Sequence, residues 1–342
     1  MMFDHYLVRY ARLAAFFSLG GFVHCISVPD TNRSATVPTE DMAATDPGTM
    51  DLHTSAELPP DFAQSYDLRL PSSDSSVPSD LSPTSACIQV AAATAYRPAL
   101  MRVSAATFLM GSSTLDPNHR ADEPQHLVTI TKSYYMAETE ITQLQFNNVR
   151  GYIRTSFVGD SLPVHNVQWL EAALYSNQLS DREGRTRCYL IYIDSVTGLW
   201  TISVNKSCSG YRLPTEAEWE MAARGGQFTA YSGSDNADVV ATYKSNSSGA
   251  PTPVKSRLPN TLCIYDLSGN MDEWVEDPYR ADYGGVGDVT DPRGSMTFYQ
   301  DAVLRGGNFE DTAPGLRVAV RSQAAPDTIS KDVGFRVVRT AD

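Results

Sequence analysis

The stretch YDLSGNMDEWVED, residues 265–277, sets Asp266, Asp272, Glu273, Glu276 and Asp277 around a Gly-Asn turn and a single tryptophan, Trp274. On a helix, Asp272, Glu273, Glu276 and Asp277 would repel one another at spacings of three and four. A turn folded round a cation suits them better. Calcium takes several hard oxygens in flexible geometry, from carboxylates and backbone carbonyls, and this stretch supplies both. The residues therefore predict a calcium loop in an irregular segment. The competing reading is a solvated acidic turn anchored by its Trp.

Other chemistry-bearing residues are less suggestive. Glu216, Glu218 and Glu220 invite an acid/base reading, but alternate helix positions point in different directions. They are expected on a solvated face, complementing the helix dipole at its N-terminal end. Of the six histidines, His119, His126 and His165 are scattered at no metal-ligand spacing, and the other three precede residue 54. Walker loops, dinucleotide-type glycine patterns and Cys/His finger spacings do not occur.

Five cysteines are present. If Cys25 goes with a leader or a lipid, the even remainder suggests disulfides in an exported chain. YLIYI and LWTISV flank DSVTG and read as a hairpin, which a Cys188–Cys208 bridge would staple at its base. Closing a loop of this size is worth about 3 kcal/mol in the chain-entropy model. Cys87 and Cys263 then remain as a pair by elimination, and four free buried thiols are the alternative.

These residues need elements to hold them. Thr142 with Gln145, and Thr215 with Glu218, have capping-box spacing and predict helix starts. Asn166 is expected to open a third helix that buries Val167, Leu170, Ala173 and Leu174, with Gly184 beyond its end. The helix from Thr215 should stop at Gly225-Gly226. FLMGSS, HLVTITKSYYM, AVLRGG, LRVAVRS and GFRVVR read as strands.

Ahead of them, residues 1–25 carry Arg9 and Arg12 before the apolar run LAAFFSLGGFVHC. That run is short for a membrane span and suited to a signal-peptide core. Cys25 is a candidate lipid-attachment site. His24 stands where such signals want a small residue, so ordinary cleavage near Ser27 stays open beside lipidation, with a buried N-terminal helix as the third reading. Residues 26–86 are Ser/Thr/Pro-rich and hold ten Asp or Glu against Arg33 and Arg69, which is −8 of the net −13. Such a segment is expected to be a disordered acidic linker. The remainder, residues 87–342, is only mildly acidic and shows no basic stripe interleaved with aromatics, so no nucleic-acid partner is expected.

Segments of this remainder, in order, resemble the formylglycine-generating enzyme, or sulfatase-modifying factor, family. They are FLMGS, ETEITQLQF, LPVHNVQWLEAALYSNQLS, GYRLPTEAEWEMAARGG, YDLSGNMDEWVED, VLRGGNF, VAVRS and VGFRVVR, spanning about residues 100–339. The resemblance implies an α+β fold related to the C-type-lectin-like fold, with short strands, few helices and much irregular structure. It maps the family's structural calcium site onto the Asp266 side chain, the Gly269 and Met271 carbonyls and the Glu273 carboxylate, with Trp274 packing behind. Active members oxidise a sulfatase cysteine with oxygen and copper(I) held by two thiolates, and soft thiolates suit that ion where carboxylates do not. Here the corresponding interval reads RGGNFEDTAPGLRVAVRS. Asp311 stands near the first thiolate position, Asn308 replaces the family's serine, Asp272 replaces an aromatic residue, and no cysteine follows Cys263. No copper is expected.

The resulting expectation is an exported domain, periplasmic, secreted or a lipoprotein of the envelope, possessing no catalytic residues for that reaction and holding a peptide or glycan of the cell envelope. Asn308, Glu310, Asp311, Arg321 and Ser322 are its groove candidates, and Cys25 its candidate membrane tether. The alternatives are a formylglycine-type oxidoreductase with altered metal ligands, and an envelope structural protein.

Overall fold

The computed structural model describes residues 87–342 apart from 285, 286, 288, 295 and 298. The expected leader, the Cys25 tether and the acidic linker lie outside the described residues. What is described is α+β: thirteen short strands in four small sheets, with helices packed between them.

Both capping boxes form. Thr142 caps α1, Gln143–Arg150, and Thr215 caps α3, Glu216–Arg224, with reciprocal bonds to Gln145 and Glu218; Gly151 and Gly225 end them in left-handed backbone. The third expected start is displaced. Asn166 has φ of +56°, and α2 runs Trp169–Arg182 with Gln168 as its N-cap and Glu171 closing the box. Periodicity found the helix but neither its boundary nor its whole face: Val167 is buried before the helix begins, and within it Ala173 is buried while Leu170 and Leu174 are half-buried. The buried face of α2 carries Trp169, Ala172, Ala173, Tyr175 and Leu179. Trp169 stacks on Trp200 at 5.7 Å and donates its indole N–H to Val275 O at 2.7 Å.

The first sheet has strand order β1-β2-β5-β13, where β1 is Gln89–Ala91, β2 Leu100–Val103, β5 Tyr134–Ala137 and β13 Val338–Thr340. β3, Ala106–Met110, pairs with β4, His126–Ile130, so HLVTITKSYYM forms two strands in different sheets. A Lys132-Ser133 break between them allows the switch. β4 also pairs in parallel with β9, Val289–Thr290. The hairpin forms from β6, Tyr189–Ile193, and β7, Trp200–Val204. The structure bridges Cys188 to Cys208 and Cys87 to Cys263.

The remaining sheet positions the site. β8, Asp272–Pro278, is central between β10, Ala302–Arg305, and β12, Val333–Phe335, and β10 pairs on to β11, Arg321–Ala324. Of LRVAVRS only its final two residues are strand, because residues before Arg321 turn. GFRVVR likewise divides between β12 and β13. The acidic stretch 272–277, expected to be irregular, is a strand of this sheet, buried at every position except Asp277. The Gly269 turn feeds it: at φ of +79° a Cβ there would sit 2.2 Å from Thr242 O, so the turn needs glycine.

Helix α3 lies against β3, β4, β8 and β10 with Ala217, Trp219, Ala222 and Ala223 buried. Its three glutamates are buried as well, correcting the solvated-face expectation. Glu216 is paired with Arg321 and Arg305, Glu218 with Arg212, and Glu220 with Arg305 and Arg224. Three arginines from outside the helix, and Arg224 within it, neutralise carboxylates that spacing alone places in solvent. Burying them unpaired would be prohibitive.

Candidate functional site

Adjacent residues of β8 face opposite ways, as strand geometry requires. Asp272 looks to one side and Glu273 to the other, and their surroundings differ.

Glu273 is fully buried. Arg336, between β12 and β13, donates from Nε to both of its oxygens at 2.9 and 2.7 Å and from Nη2 at 2.6 Å, and the Trp219 indole donates at 2.9 Å. Nη2 also reaches Tyr265 O, and Nη1 reaches Ala137 O. Asp266, in left-handed backbone at φ of +58°, accepts the Lys255 N–H at 2.9 Å. Glu140 accepts from Asn270 Nδ2 and the Met271 N–H. Burial raises Asp266 to about 6, with Glu273 adding to the rise while Lys255 and Arg336 oppose it. Glu140 is pushed well above its ordinary value by burial, then by Asp266 and Glu273.

This arrangement bears on calcium. The side chains of Asp266 and Glu273 and the carbonyls of Gly269 and Met271 share one turn, but the donor set does not fit the ion. Both Glu273 oxygens are held by a guanidinium, Asp266 is capped by a backbone N–H, and among the described residues no three His, Cys, Asp or Glu side chains converge as metal ligands. A cation at Glu273 would have to displace Arg336. Trp274 does pack behind the turn, fully buried, donating to Val167 O at 2.8 Å.

The other side of β8 is an acidic cluster. Asn308 Nδ2 donates to Asp272 at 2.7 Å, the Asn308 N–H to Asp311 at 3.0 Å, and the Glu310 N–H to Asn308 Oδ1 at 2.8 Å. Gly307, at φ of +68°, closes this turn where a Cβ would meet Leu316 at 2.8 Å. From the third side the Asp272 N–H reaches Asp332 O at 2.9 Å. Burial lifts Asp272 to about 7, and Asp311 and Asp332 add to it while the bonds from Asn308 and Gly307 oppose it. Asp311, half-buried, is raised by burial and by Asp332 and Glu310. Glu310 is exposed and pairs with Lys331 at 2.7 Å, whose ammonium also lies 5.8 Å from the Phe309 ring. Phe157 packs edge-on to Phe309 and to His165 beneath. Phe157, Lys331 and Asp332 are the members that sequence reasoning missed. Their only signal would have been proximity to Asn308 across long loops.

Two of the five groove candidates lie elsewhere. Arg321 is buried on β11, bidentate to Glu216 at 2.6 and 2.9 Å, with its guanidinium 3.8 Å from the Tyr283 ring. Ser322 sits opposite Leu304 in the β10–β11 register. Strand alternation and the demand of Glu216 for a partner draw Arg321 away from the cluster.

Chemically, the cluster offers carboxyls, one amide and one ammonium, with no thiol. All four cysteines of residues 87–342 are in disulfides, so none supplies a thiolate. Asp272 can hold a proton near neutrality, and burial raises Asp311 in the same direction.

Residues 88–341 match the family described as the sulfatase-modifying factor enzyme 1-like domain. The chain is 30% identical over 237 residues to the chaperone protein LppX of Paenibacillus barcinonensis, covering 60% of this chain and 80% of that protein. It is 35% identical over 152 residues to the formylglycine-generating enzyme of Streptomyces coelicolor, covering 39% of this chain and 48% of that one, so it spans about half of that enzyme. Among solved structures, Treponema denticola variable protein 1 superposes with a TM-score of 0.65 at 27% identity, over 71% of this chain and 95% of the other. With the Arg-Leu-Pro-Thr-Glu helix start, the Gly-Asn turn entering β8 and the Gly-Gly turn after β10 all gathered around β8, the chain belongs to the sulfatase-modifying factor family.

Proposed function

We propose that this domain is a non-catalytic binding module of that family, exported from the cell, which holds a peptide or glycan of the envelope in the cleft between Asp272, Asn308, Glu310 and Asp311. The observation that carries the reading is Asp311. At the position where active members place a thiolate, its carboxylate is turned back onto the Asn308 backbone, and carboxylates do not stabilise copper(I). Fold without chemistry leaves the cleft as the functional residue of the scaffold. The relative named a chaperone protein favours a polypeptide ligand over a glycan, since such a protein holds chains. Two disulfides support export, because such bonds persist in oxidising compartments. In that setting Cys25 would tether the domain to a membrane through the acidic linker.

The test is direct binding. Labelled envelope peptides and glycans are titrated onto the purified chain and onto Asn308→Ala and Glu310→Ala variants, with circular dichroism confirming the fold. Saturable binding that both substitutions weaken supports the cleft. Binding indifferent to both, or no binding across the panel, refutes it.

A further inference from the structure

The β6–β7 hairpin stands apart from the other sheets, and its exposed side chains are unlike those of a solvated loop. Leu190 is 60% exposed, Tyr192 66%, Ile193 49% and Val196 86%. Its only ladder is between its own two strands, so the outer edge of β6 has no strand neighbour among the described residues. Which backbone groups face that edge follows from the ladder. Cys188 O accepts from the Asn205 N–H and the Asp194 N–H reaches Leu199 O, so the even-numbered residues bond inward to β7. Tyr189, Ile191 and Ile193 therefore point their N–H and C=O groups outward.

The first of these rungs is already taken, in an informative way. The side-chain amide of Asn177 on α2 accepts from the Tyr189 N–H at 3.1 Å and donates to Tyr189 O at 2.8 Å, the pairing a strand residue would make. Beyond it the edge continues past Ile191 and Ile193. A groove of about 620 Å³ follows, walled by Leu174, Asn177 and Gln178 of α2 and by β6. In its wall the Gln178 Oε1 is buried without a hydrogen-bond partner. An open edge with an apolar face is a template for another strand.

We propose that this edge is a self-association surface: β6 pairs antiparallel with β6 of a second copy about a two-fold axis at Tyr192. Ile191 then lies opposite Ile193 of the second copy, and both present their outward groups, so the four backbone hydrogen bonds form in register without any shift of the hairpin. One surface meeting itself is the requirement of a closed dimer. Leu190, Tyr192 and Ile193 flank the new ladder, and because Val196 lies in the turn outside it the pairing buries less than about 1,000 Å² in total, the range of a weak, reversible interface. The Cys188–Cys208 bridge holds the edge straight at its base.

The full chain is examined by sedimentation equilibrium and light scattering, with Tyr192→Lys, Tyr192→Cys and Val196→Cys variants. The account expects a dimer, weakened about tenfold or more by Tyr192→Lys, which sets like charges face to face at the axis. Tyr192 is exposed, so that variant should keep the melting temperature of the wild type. Tyr192→Cys should form a covalent dimer under mild oxidation, and Val196→Cys, in the turn away from the axis, should not. A chain that stays monomeric at high micromolar concentration overturns the proposal. So does a dimer indifferent to Tyr192→Lys, or one that cross-links equally at both positions.

Discussion

Asp272 and Glu273 are consecutive carboxylates on one buried strand, yet one is locked and the other is poised. Glu273 meets a guanidinium with matching fork geometry and an indole donor, so its charge is neutralised within the fold. Asp272 meets an amide and two further carboxyls, with the nearby ammonium of Lys331 engaged by Glu310. The same strand therefore separates a charge-compensated face from an uncompensated one. Acidity alone does not mark a site: what distinguishes the two sides is whether the fold supplies the counter-charge.

The largest expected effect breaks the locked side. Arg336→Met leaves Glu273 buried and uncompensated, which should cost about 3–5 kcal/mol. Urea denaturation reads this directly, and a loss below about 1 kcal/mol would show that the pair is not what holds the strand.

Next comes the poised side. Asp272 titrates at about 7 in the fold against an ordinary 3.8. Its native form therefore binds the proton more tightly than the unfolded chain does. The stability this contributes is fully present below 3.8 and is lost as pH rises through about 7, with each unit of the rise worth about 1.4 kcal/mol. An Asp272→Asn variant should accordingly lose less stability than the wild type between pH 5 and pH 8, by roughly 1–3 kcal/mol. Asp277, also raised to about 7 chiefly by burial, titrates in the same window, so the profile should flatten without vanishing. Parallel profiles for variant and wild type would put the proton elsewhere.

The smallest effect is an expected indifference. Because Arg336 occupies the carboxylate that calcium would need, stripping the protein with chelator and adding calcium back should leave its melting temperature unchanged. Bound calcium at about a hundred times Kd would instead add roughly 2.7 kcal/mol. A melting point that rises by several degrees on calcium addition would place the ion in the turn after all.

Local signals in the sequence were read well where the physics is local. The Thr142 and Thr215 caps, the Gly225 stop and the hairpin between Cys188 and Cys208 each rest on residues within a few positions of one another. The errors share the opposite origin. Glu216, Glu218 and Glu220 look solvated until Arg321, Arg305 and Arg212 arrive from other segments, and residues 272–277 look irregular until β10 and β12, from distant segments, pair on either side of them. Arg321 looks like a groove residue for the same reason: its partner Glu216 lies 105 positions away. Half of the cluster was legible, at Asn308, Glu310 and Asp311, because they share one turn. Asp332, Lys331 and Phe157 were not, since only the tertiary fold brings them there.

The central claim, that this scaffold keeps the family's cleft without its oxidase chemistry, is tested most directly by mass spectrometry of a Cys-x-Pro-x-Arg sulfatase peptide incubated with the purified chain, copper, reductant and oxygen. The account predicts an unchanged peptide mass at every time point, because the thiolate position holds Asp311. The mass loss of thiol-to-aldehyde conversion at the peptide cysteine, dependent on the chain, would contradict it.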